Sequence, residues 1–237
     1  MPPNSANWLN NYWQRTCYGG LISNKDGRIN PLTLQKCLQI AIQDKAVQKI
    51  NQSVSHIERI GNQINRGWNI YLLYSSNIVV DAIVICSAIG TKNILKSLDY
   101  KLKIEPVLGQ VLDVEIISIN QDWKNWPAVL STYGVNLIPN GPNRLLIGAT
   151  LENGYKPDHN SILEMKKINT NAPSWITNAK IINQWHGIRA RPQNTPAPIL
   201  EQIDRDLIIA TCYYRNGLLL APASAEWIAQ KLIDSEI

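Results

Sequence analysis

The chain has no phenylalanine and only two methionines and three histidines, and none of its thirteen glycines falls in a G-x-G-x-x-G spacing. The last absence excludes, within these residues, the strand–turn–helix unit that cradles a dinucleotide pyrophosphate. His56, His159 and His186 share no ligand spacing with one another or with a cysteine, which argues against a His/Cys metal centre. The four cysteines, Cys17, Cys37, Cys86 and Cys212, are far apart and form no C-x-x-C pair. They read as buried free thiols in a reducing compartment. There is no G-x-S-x-G and no Cys–His arrangement to support acyl transfer. No apolar run approaches the roughly 18 residues needed to span a bilayer. The N-terminus is rich in asparagine rather than basic and then apolar, so neither a membrane span nor a secretory leader is expected, and a cytoplasmic location is. The missing phenylalanine excludes no function.

What is present is ordinary for a globular protein. The 237 residues are 45% apolar and 17% charged, enough to bury a substantial core in one or two domains. The net charge is +5 and the pI about 9.0, but Lys and Arg are scattered and the longest purely basic run is Lys166-Lys167. Nucleic acid, which selects concentrated basic surfaces, is therefore not an expected partner.

Along the chain, Asn30-Pro31 opens a helix with Asn as N-cap and Pro in the first turn. Leu34, Cys37, Leu38, Ala41 and Ile42 then follow at helical spacing and predict one buried face. Strand-like pieces come next at 47–50, 54–60 and 68–74. The run from Ile78 to Cys86 reads as one strand covered on both faces. From Pro106 the pattern becomes period two over 107–119, followed by strands at 135–138 and 144–150 around the turn signal Pro139-Asn140-Gly141-Pro142-Asn143. Segments 162–167 and 173–178 suit helices, 181–191 and 206–211 suit strands. The chain closes in a helix whose predicted buried stripe is Ala225, Ile228, Ala229, Leu232 and Ile233. The order is α/β, then antiparallel β, then α/β again: an α/β class, α+β overall.

Two motifs in the last third carry most of the information. Trp185-His186-Gly187-Ile188-Arg189-Ala190-Arg191-Pro192 ends a strand in two arginines. Tyr214-Arg215-Asn216-Gly217-Leu218-Leu219-Leu220-Ala221-Pro222 leads through a turn into a helix taken to start near Pro222. Together they resemble the C-terminal signature of the FAD-dependent glycine and D-amino-acid oxidase family, most closely its glycine oxidase branch in thiamine biosynthesis. The resemblance runs over residues 26–237 and is vague over 1–25. It implies an incomplete FAD-binding Rossmann-like domain in 1–98, a substrate domain with a large antiparallel sheet in 99–180, and a return to the FAD domain in 181–237.

The resemblance also implies roles. Arg189 and Arg215 match arginines that hold the substrate carboxylate, for which a planar guanidinium fork is suited; Arg191 is a supporting charge or a structural residue. Tyr214, Arg215, Asn216, Gly217, Leu218, Leu219 and Leu220 match the stretch along the isoalloxazine, with Gly217 allowing close approach. The following helix would aim its positive end at the flavin edge that gains charge on reduction. Val54 matches a residue whose backbone meets the adenine. Ala88, in Asp81-Ala82-Ile83-Val84-Ile85-Cys86-Ser87-Ala88-Ile89-Gly90-Thr91, stands where the family has a glycine near the pyrophosphate. Asn136 stands where glycine oxidases have a tyrosine that helps hold the carboxylate.

The implied activity is oxidation of the amine of glycine or a small D-amino acid, with hydride passing from Cα to flavin N5 and FAD as cofactor. No metal is implied. The implied partners are a small amino-acid substrate and either further copies of the chain or a separate N-terminal FAD-binding piece. The competing reading, favoured by Ala88 and Asn136, is a non-catalytic binding module or remnant of the family that lacks FAD.

Overall fold

The computed structural model describes residues 20–235 apart from 22, 24, 26, 44, 62–65, 75, 118–122 and 124–125. Cys17 and nearly all of residues 1–25 therefore lie outside the described residues. The class is mixed α/β, as the sequence indicates, and the chain divides into two compact units. One comprises 1–48, 108–152 and 156–187; the other comprises 49–107, 153–155 and 188–237.

The elements in chain order begin with helix α1 (Pro31–Gln43), strands β1 (Val54–Gly61), β2 (Arg66–Leu72), β3 (Ile78–Val80) and β4 (Ile83–Ile85), and helix α2 (Thr91–Leu95). Then come β5 (Ile104–Glu115), β6 (Leu130–Thr132), β7 (Val135–Pro139), β8 (Arg144–Gly148) and β9 (Glu152–Asn153). Helices α3 (His159–Lys166) and α4 (Ser174–Thr177), strands β10 (Lys180–Pro192), β11 (Ile199–Asp204) and β12 (Leu207–Thr211), and helix α5 (Gly217–Ser235) complete the chain.

In the first unit a six-stranded sheet runs β10-β5-β8-β7-β6, with β9 also pairing β5. The turn between β7 and β8 forms where the sequence signals it. Gly141 and Asn143 take left-handed φ of 107° and 53°, and the Asn140 amide donates to the Arg144 carbonyl at 2.9 Å. That turn sets Leu137 opposite Ile147, and both are fully buried. The core of this unit gathers Leu112, Val114, Leu137, Leu145 and Ile147 from the sheet with Ile162, Met165, Trp175 and Ile176 from α3 and α4. β5 does not follow the expected alternation: Val107, Leu108, Gly109 and Gln110 are buried in succession, so both faces are covered there. Asp158 caps α3 by accepting from the Asn160 and Ser161 amides at 3.1 and 3.0 Å.

Helix α1 departs from expectation. Asn30 caps it, accepting from the Leu32 and Thr33 amides at 3.0 and 3.1 Å, yet none of its residues is buried. The apolar stripe exists, but Leu34 alone of it is half-buried, and Leu38, Ile40 and Ile42 remain exposed. Cys37 and Cys86 are exposed as well; of the described cysteines only Cys212 is the buried thiol that composition suggests.

The second unit holds two three-stranded sheets, β1-β2-β3 and β11-β12-β4. Segment 47–50 is not a strand. The expected single strand 78–86 is broken at Asp81-Ala82: β3 pairs antiparallel with β2, whereas β4 pairs parallel with β12. Ile83 and Ile85 are buried while Val84 is 36% exposed, so one face of β4 is open rather than covered. All five residues of β12 are buried. Helix α5 begins at Gly217 and carries Pro222 inside it, and Ser224 alone is buried along its length. The expected buried stripe is at best half-covered at Ile228 and Leu232, because no described element faces it fully.

A polar clasp closes this unit. Arg59 on β1 donates to Asp206 at 2.8 and 3.2 Å, also meets Asp204, and stacks over the Trp68 ring 4.2 Å from its centroid. The Trp68 indole N–H donates to the same Asp206 at 3.0 Å. Burial on its own would raise the Asp206 carboxyl, but the Arg59 and Trp68 hydrogen bonds outweigh it and hold the group below the usual carboxylate range. Its stabilisation is therefore present above the unfolded pKa of about 4 and is lost as pH falls through the lower folded value. Asp206→Ala should cost about 1–3 kcal/mol, because the buried indole N–H loses its acceptor and Arg59 keeps only Asp204. Urea melts at neutral pH and at successively lower pH will show it: the gap between wild type and variant should narrow with acid, and a gap independent of pH would refute the role given to the carboxylate.

Candidate active site

The site is built at the ends of two parallel strands. Pairing of β12 with β4 sets Leu207, Ile208 and Ile209 beside Ile83, Val84 and Ile85, so both strands end on the same side of their sheet. In parallel α/β sheets the carboxyl ends of strands are where ligands bind, since the loops there are free of the ladder. The loop after β4 contains Ala88; the loop after β12 runs through Tyr213 to Asn216 and enters α5.

Ala88 opens a 3-10 turn (Ala88–Gly90) and adopts a left-handed φ of 47°. Its carbonyl accepts from the Thr211 hydroxyl at 3.2 Å, and Thr211 is linked through Thr91 at 3.1 Å to Ser87 at 3.1 Å. Thr91 and Thr211 are buried, so this hydroxyl chain pins the β4 loop to the end of β12. Three isolated hydroxyl residues leave no sequence signal, and the network was not foreseen.

The second loop is also strongly bent: Cys212 and Tyr214 take left-handed φ of 56° and 53°. The Asn216 amide returns to the Tyr213 carbonyl at 3.0 Å, and the Leu220 amide makes the first i to i−4 bond, to Asn216, at 3.0 Å. The helix thus starts five residues before Pro222, which corrects the expected entry point. The amides of Gly217, Leu218 and Leu219 precede that first bond, so they have no acceptor within the helix and carry its positive end. Arg215, Asn216, Leu218 and Leu219 are exposed, and Tyr214 is half-buried. Gly217 is less special than its motif suggests: an added Cβ would meet only the Tyr213 Cβ, at an ordinary 3.6 Å.

Arg189 and Arg191 lie on β10 with buried Ala190 between them, hence on one side of the strand. Burial presses the Arg189 guanidinium below its ordinary value; the Tyr214 hydroxyl opposes this and the like charge of Arg215 adds to it. Arg189, Tyr214 and Arg215 therefore share one electrostatic neighbourhood, though they come from the two separate motifs. Arginine remains a cation at any physiological pH, so two positive charges persist there. Arg191 is held differently. Its Nε and one Nη donate to Glu105 at 3.0 and 2.6 Å, and the Gln193 amide donates to the other Glu105 oxygen at 2.5 Å. The Arg191 guanidinium also lies 6.0 Å from the Tyr214 ring centroid. The Arg191 hydrogen bond, then that of Gln193, lowers the Glu105 carboxyl against the opposing effect of burial. Glu105 and Gln193 were not picked out from the sequence, where a lone Glu at a strand start and a Gln after a proline carry no pattern.

Val54 begins β1, an edge strand, beside a bulge between Val54 and His56. Its outer backbone edge is not paired within that sheet. Asn136 belongs to the other compact unit. It sits opposite Gly148 on β8 and Ser131 on β6, and its side-chain oxygen accepts from the Ser131 hydroxyl at 2.6 Å. Among the described residues no group of three or more His, Cys, Asp or Glu could hold a metal, and no helix is long and apolar enough to cross a membrane.

The arrangement suits a planar flavin more than a complete dinucleotide. The first-turn amides of α5, the Tyr214 ring and the nearby Arg191 suit a ring system that gains negative charge, while the Cβ of Ala88 occupies a turn that a glycine would leave open. Comparison with known proteins points the same way. The profile of the FAD dependent oxidoreductase family matches residues 4–231. The glycine oxidase of Pseudomonas putida is 26% identical over 163 residues, 67% of this chain and 43% of that protein. The glycine oxidase of Bacillus subtilis is 27% identical over 192 residues, 78% of this chain and 48% of that protein. The solved glycine oxidase of Geobacillus kaustophilus shares the fold with a TM-score of 0.64 at 22% identity, over 77% of this chain and 48% of that one. The chain thus spans about half the length of the curated relatives it matches.

Because a left-handed backbone costs an L-residue about 1–2 kcal/mol, Ala88→Gly should stabilise the protein by about 1 kcal/mol after glycine's extra chain entropy is set against it. Ala88→Val should destabilise it. Denaturant midpoints for the three proteins check the order Gly above Ala above Val, and any other order contradicts the backbone assigned to this turn.

Proposed function

Since the chain belongs to the FAD dependent oxidoreductase family, with residues 4–231 matching it, we propose that it forms the rear part of a flavoenzyme that oxidises the amine of glycine or a small D-amino acid. By analogy with the glycine oxidases it resembles, the product imine would feed thiamine biosynthesis. The observation that carries the reading is the approach of two motifs about 25 positions apart, with the Arg191 guanidinium 6.0 Å from the Tyr214 ring centroid in the loop that enters α5.

In this reading Arg189 and Arg215 hold the substrate carboxylate, and a bidentate guanidinium fixes the direction in which Cα presents its hydrogen. Arg191 is paired with Glu105 and has a structural part in this reading. Tyr214 to Leu220 line the flavin, with the amides of Gly217, Leu218 and Leu219 as donors to the ring edge where charge accumulates. Val54 offers backbone to the adenine, and the Ala88 turn lies near the pyrophosphate. FAD, when bound, supplies the two-electron acceptor. The chain's own contribution is binding, orientation and a positive field; the amine reacts in its neutral form and needs no further base.

Asn136 gives a reason to expect a shifted substrate preference. Asn136 offers a shorter amide donor in place of a tyrosine hydroxyl, and its oxygen accepts from Ser131. A second reading, a module of the family that has lost FAD, draws on the Cβ of Ala88 in its left-handed turn. The partner in the first reading is a separate FAD-binding piece or a further copy of the chain.

Titrating the purified chain with FAD, and then with glycine in the absence of oxygen, separates these readings. Quenching of flavin fluorescence on binding and bleaching of its visible band by glycine are expected. Arg189→Ala should bind FAD unchanged while binding glycine at least about 100-fold more weakly, the loss of roughly 3 kcal/mol in charge-assisted hydrogen bonds. Equal glycine affinity in wild type and variant would remove Arg189 from the site. Failure to bind FAD, alone or with the complementary half of a related glycine oxidase, would leave the cofactor-free module.

A further inference from the structure

We propose that Glu105, assisted by Gln193, is a positioning residue for Tyr214: its carboxylate holds the Arg191 guanidinium against the tyrosine ring and so sets how that ring stands in the loop entering α5. The inference rests on the flavoenzyme reading for what the ring would face, but the chain of contacts is independent of it.

Glu105, Asn153, Arg191, Gln193 and Tyr214 all belong to one compact unit. Arg191 Nε and one Nη converge on a single Glu105 oxygen at 3.0 and 2.6 Å, and the same Nη lies 3.5 Å from the Asn153 side-chain oxygen. The Gln193 side-chain amide occupies the other Glu105 oxygen at 2.5 Å, so the carboxylate has a donor on each side and turns away only by losing both. Gln193 is fixed in turn, because its backbone amide donates to the Lys103 carbonyl at 3.1 Å. A long arginine side chain left to itself samples many rotamers, whereas one gripped along its Nε edge presents its planar head in one place. Here that place is over the Tyr214 ring, 6.0 Å from its centroid, at the outer reach of a cation–π contact. The Glu105 hydrogen bond is the main influence raising Arg191 above its ordinary value, burial opposes it, and the Tyr214 hydroxyl adds to it.

Tyr214 is a residue that needs holding. It takes a left-handed φ of 53°, two positions after Cys212 at 56°, and backbone of this kind persists only where its surroundings over-determine it. Arg215 follows at once, and α5 begins at Gly217. A contact that fixes Tyr214 therefore also steers Arg215 and the first amides of α5, the groups that the flavoenzyme reading sets against substrate and flavin. An ion pair serving only its own strands would stop at β5 and β10; this one reaches the loop beyond β12.

The test places a fluorinated tyrosine ring at position 214 and follows its fluorine resonance in the full chain without flavin. Glu105→Gln keeps the size of the side chain but not its charge, and Arg191→Lys keeps the charge but not the fork. Each should displace the resonance, and in the Arg191→Lys background Glu105→Gln should add nothing, since its effect passes through the guanidinium. Gln193→Ala frees one carboxylate oxygen and leaves the ion pair; it should act in the same direction to a smaller degree, and it carries the test if Glu105→Gln does not fold. Trypsin should cut after the exposed Arg215 at least about tenfold faster in Glu105→Gln, with cutting after the exposed Arg205 unchanged as a measure of global opening. A resonance indifferent to Glu105→Gln and Gln193→Ala, a Glu105→Gln shift that persists in the Arg191→Lys background, or equal acceleration at Arg205 and Arg215 would each overturn the proposal. Adding FAD, with the complementary half of a related glycine oxidase, separates it from the enzymatic reading. A resonance that follows Glu105 but ignores FAD leaves the positioning standing and sinks the flavin-lining role; one that moves with FAD but not with Glu105 does the reverse.

Discussion

The parallel ladder between β12 and β4 is the constraint on which the proposed site depends. It joins segments whose hydroxyl contact, Thr91 to Thr211, spans 120 positions of sequence. Because the pairing is parallel, the two following loops emerge on one side, and each turns sharply at the end of its strand. Both do so with residues other than glycine in left-handed backbone, Ala88 in one loop and Cys212 and Tyr214 in the other. Strain of this kind survives only where the surroundings over-determine the backbone. Here the buried hydroxyl chain and the fully buried β12 supply that restraint. The Arg59 clasp acts at the opposite end of the same strand, where Asp206 immediately precedes β12 and fixes it to β1 and β2.

Charge is arranged around this frame with a clear division. Arg191 and Arg189 are two residues apart on the same side of β10, yet Arg191 is tied by Glu105 and shares that carboxylate with Gln193. Pairing Arg191 with Glu105 offsets its charge. The tied arginine still shapes the site, since its guanidinium stands against the Tyr214 ring.

Legibility in the sequence followed how locally each feature is determined. The β7–β8 turn and the α1 cap were legible, because Asn-Gly-Pro-Asn and Asn-Pro act through their own backbone preferences. The two arginine-bearing motifs were legible through family resemblance, which concentrates several positions into one signal. Glu105, Gln193, Ser87, Thr91 and Thr211 were not, since each is an ordinary polar residue whose meaning comes from a partner far along the chain. The 78–86 run misled for another reason: hydrophobicity records that Ile78–Val80 and Ile83–Ile85 are strands but not that Asp81-Ala82 sends them to different sheets. The helix entry at Gly217 was misplaced because Pro222 is an equally good first-turn residue, and only the Asn216–Leu220 bond decides between them.

Periodicity also reports faces that the described residues leave open. The stripes on α1 and on α5 were read as buried, and both are real as patterns: their apolar residues stand at helical spacing. Amphipathic spacing is set by the surface a helix is selected to cover, whereas exposure is set by what covers it in a given structure. Where spacing and exposure disagree, as they do on both helices, the spacing marks a surface suited to burial that the described residues leave largely exposed. Exposed apolar area of this size is costly in water, about 25 cal/mol for each Å². That cost favours whatever state of the protein covers these surfaces.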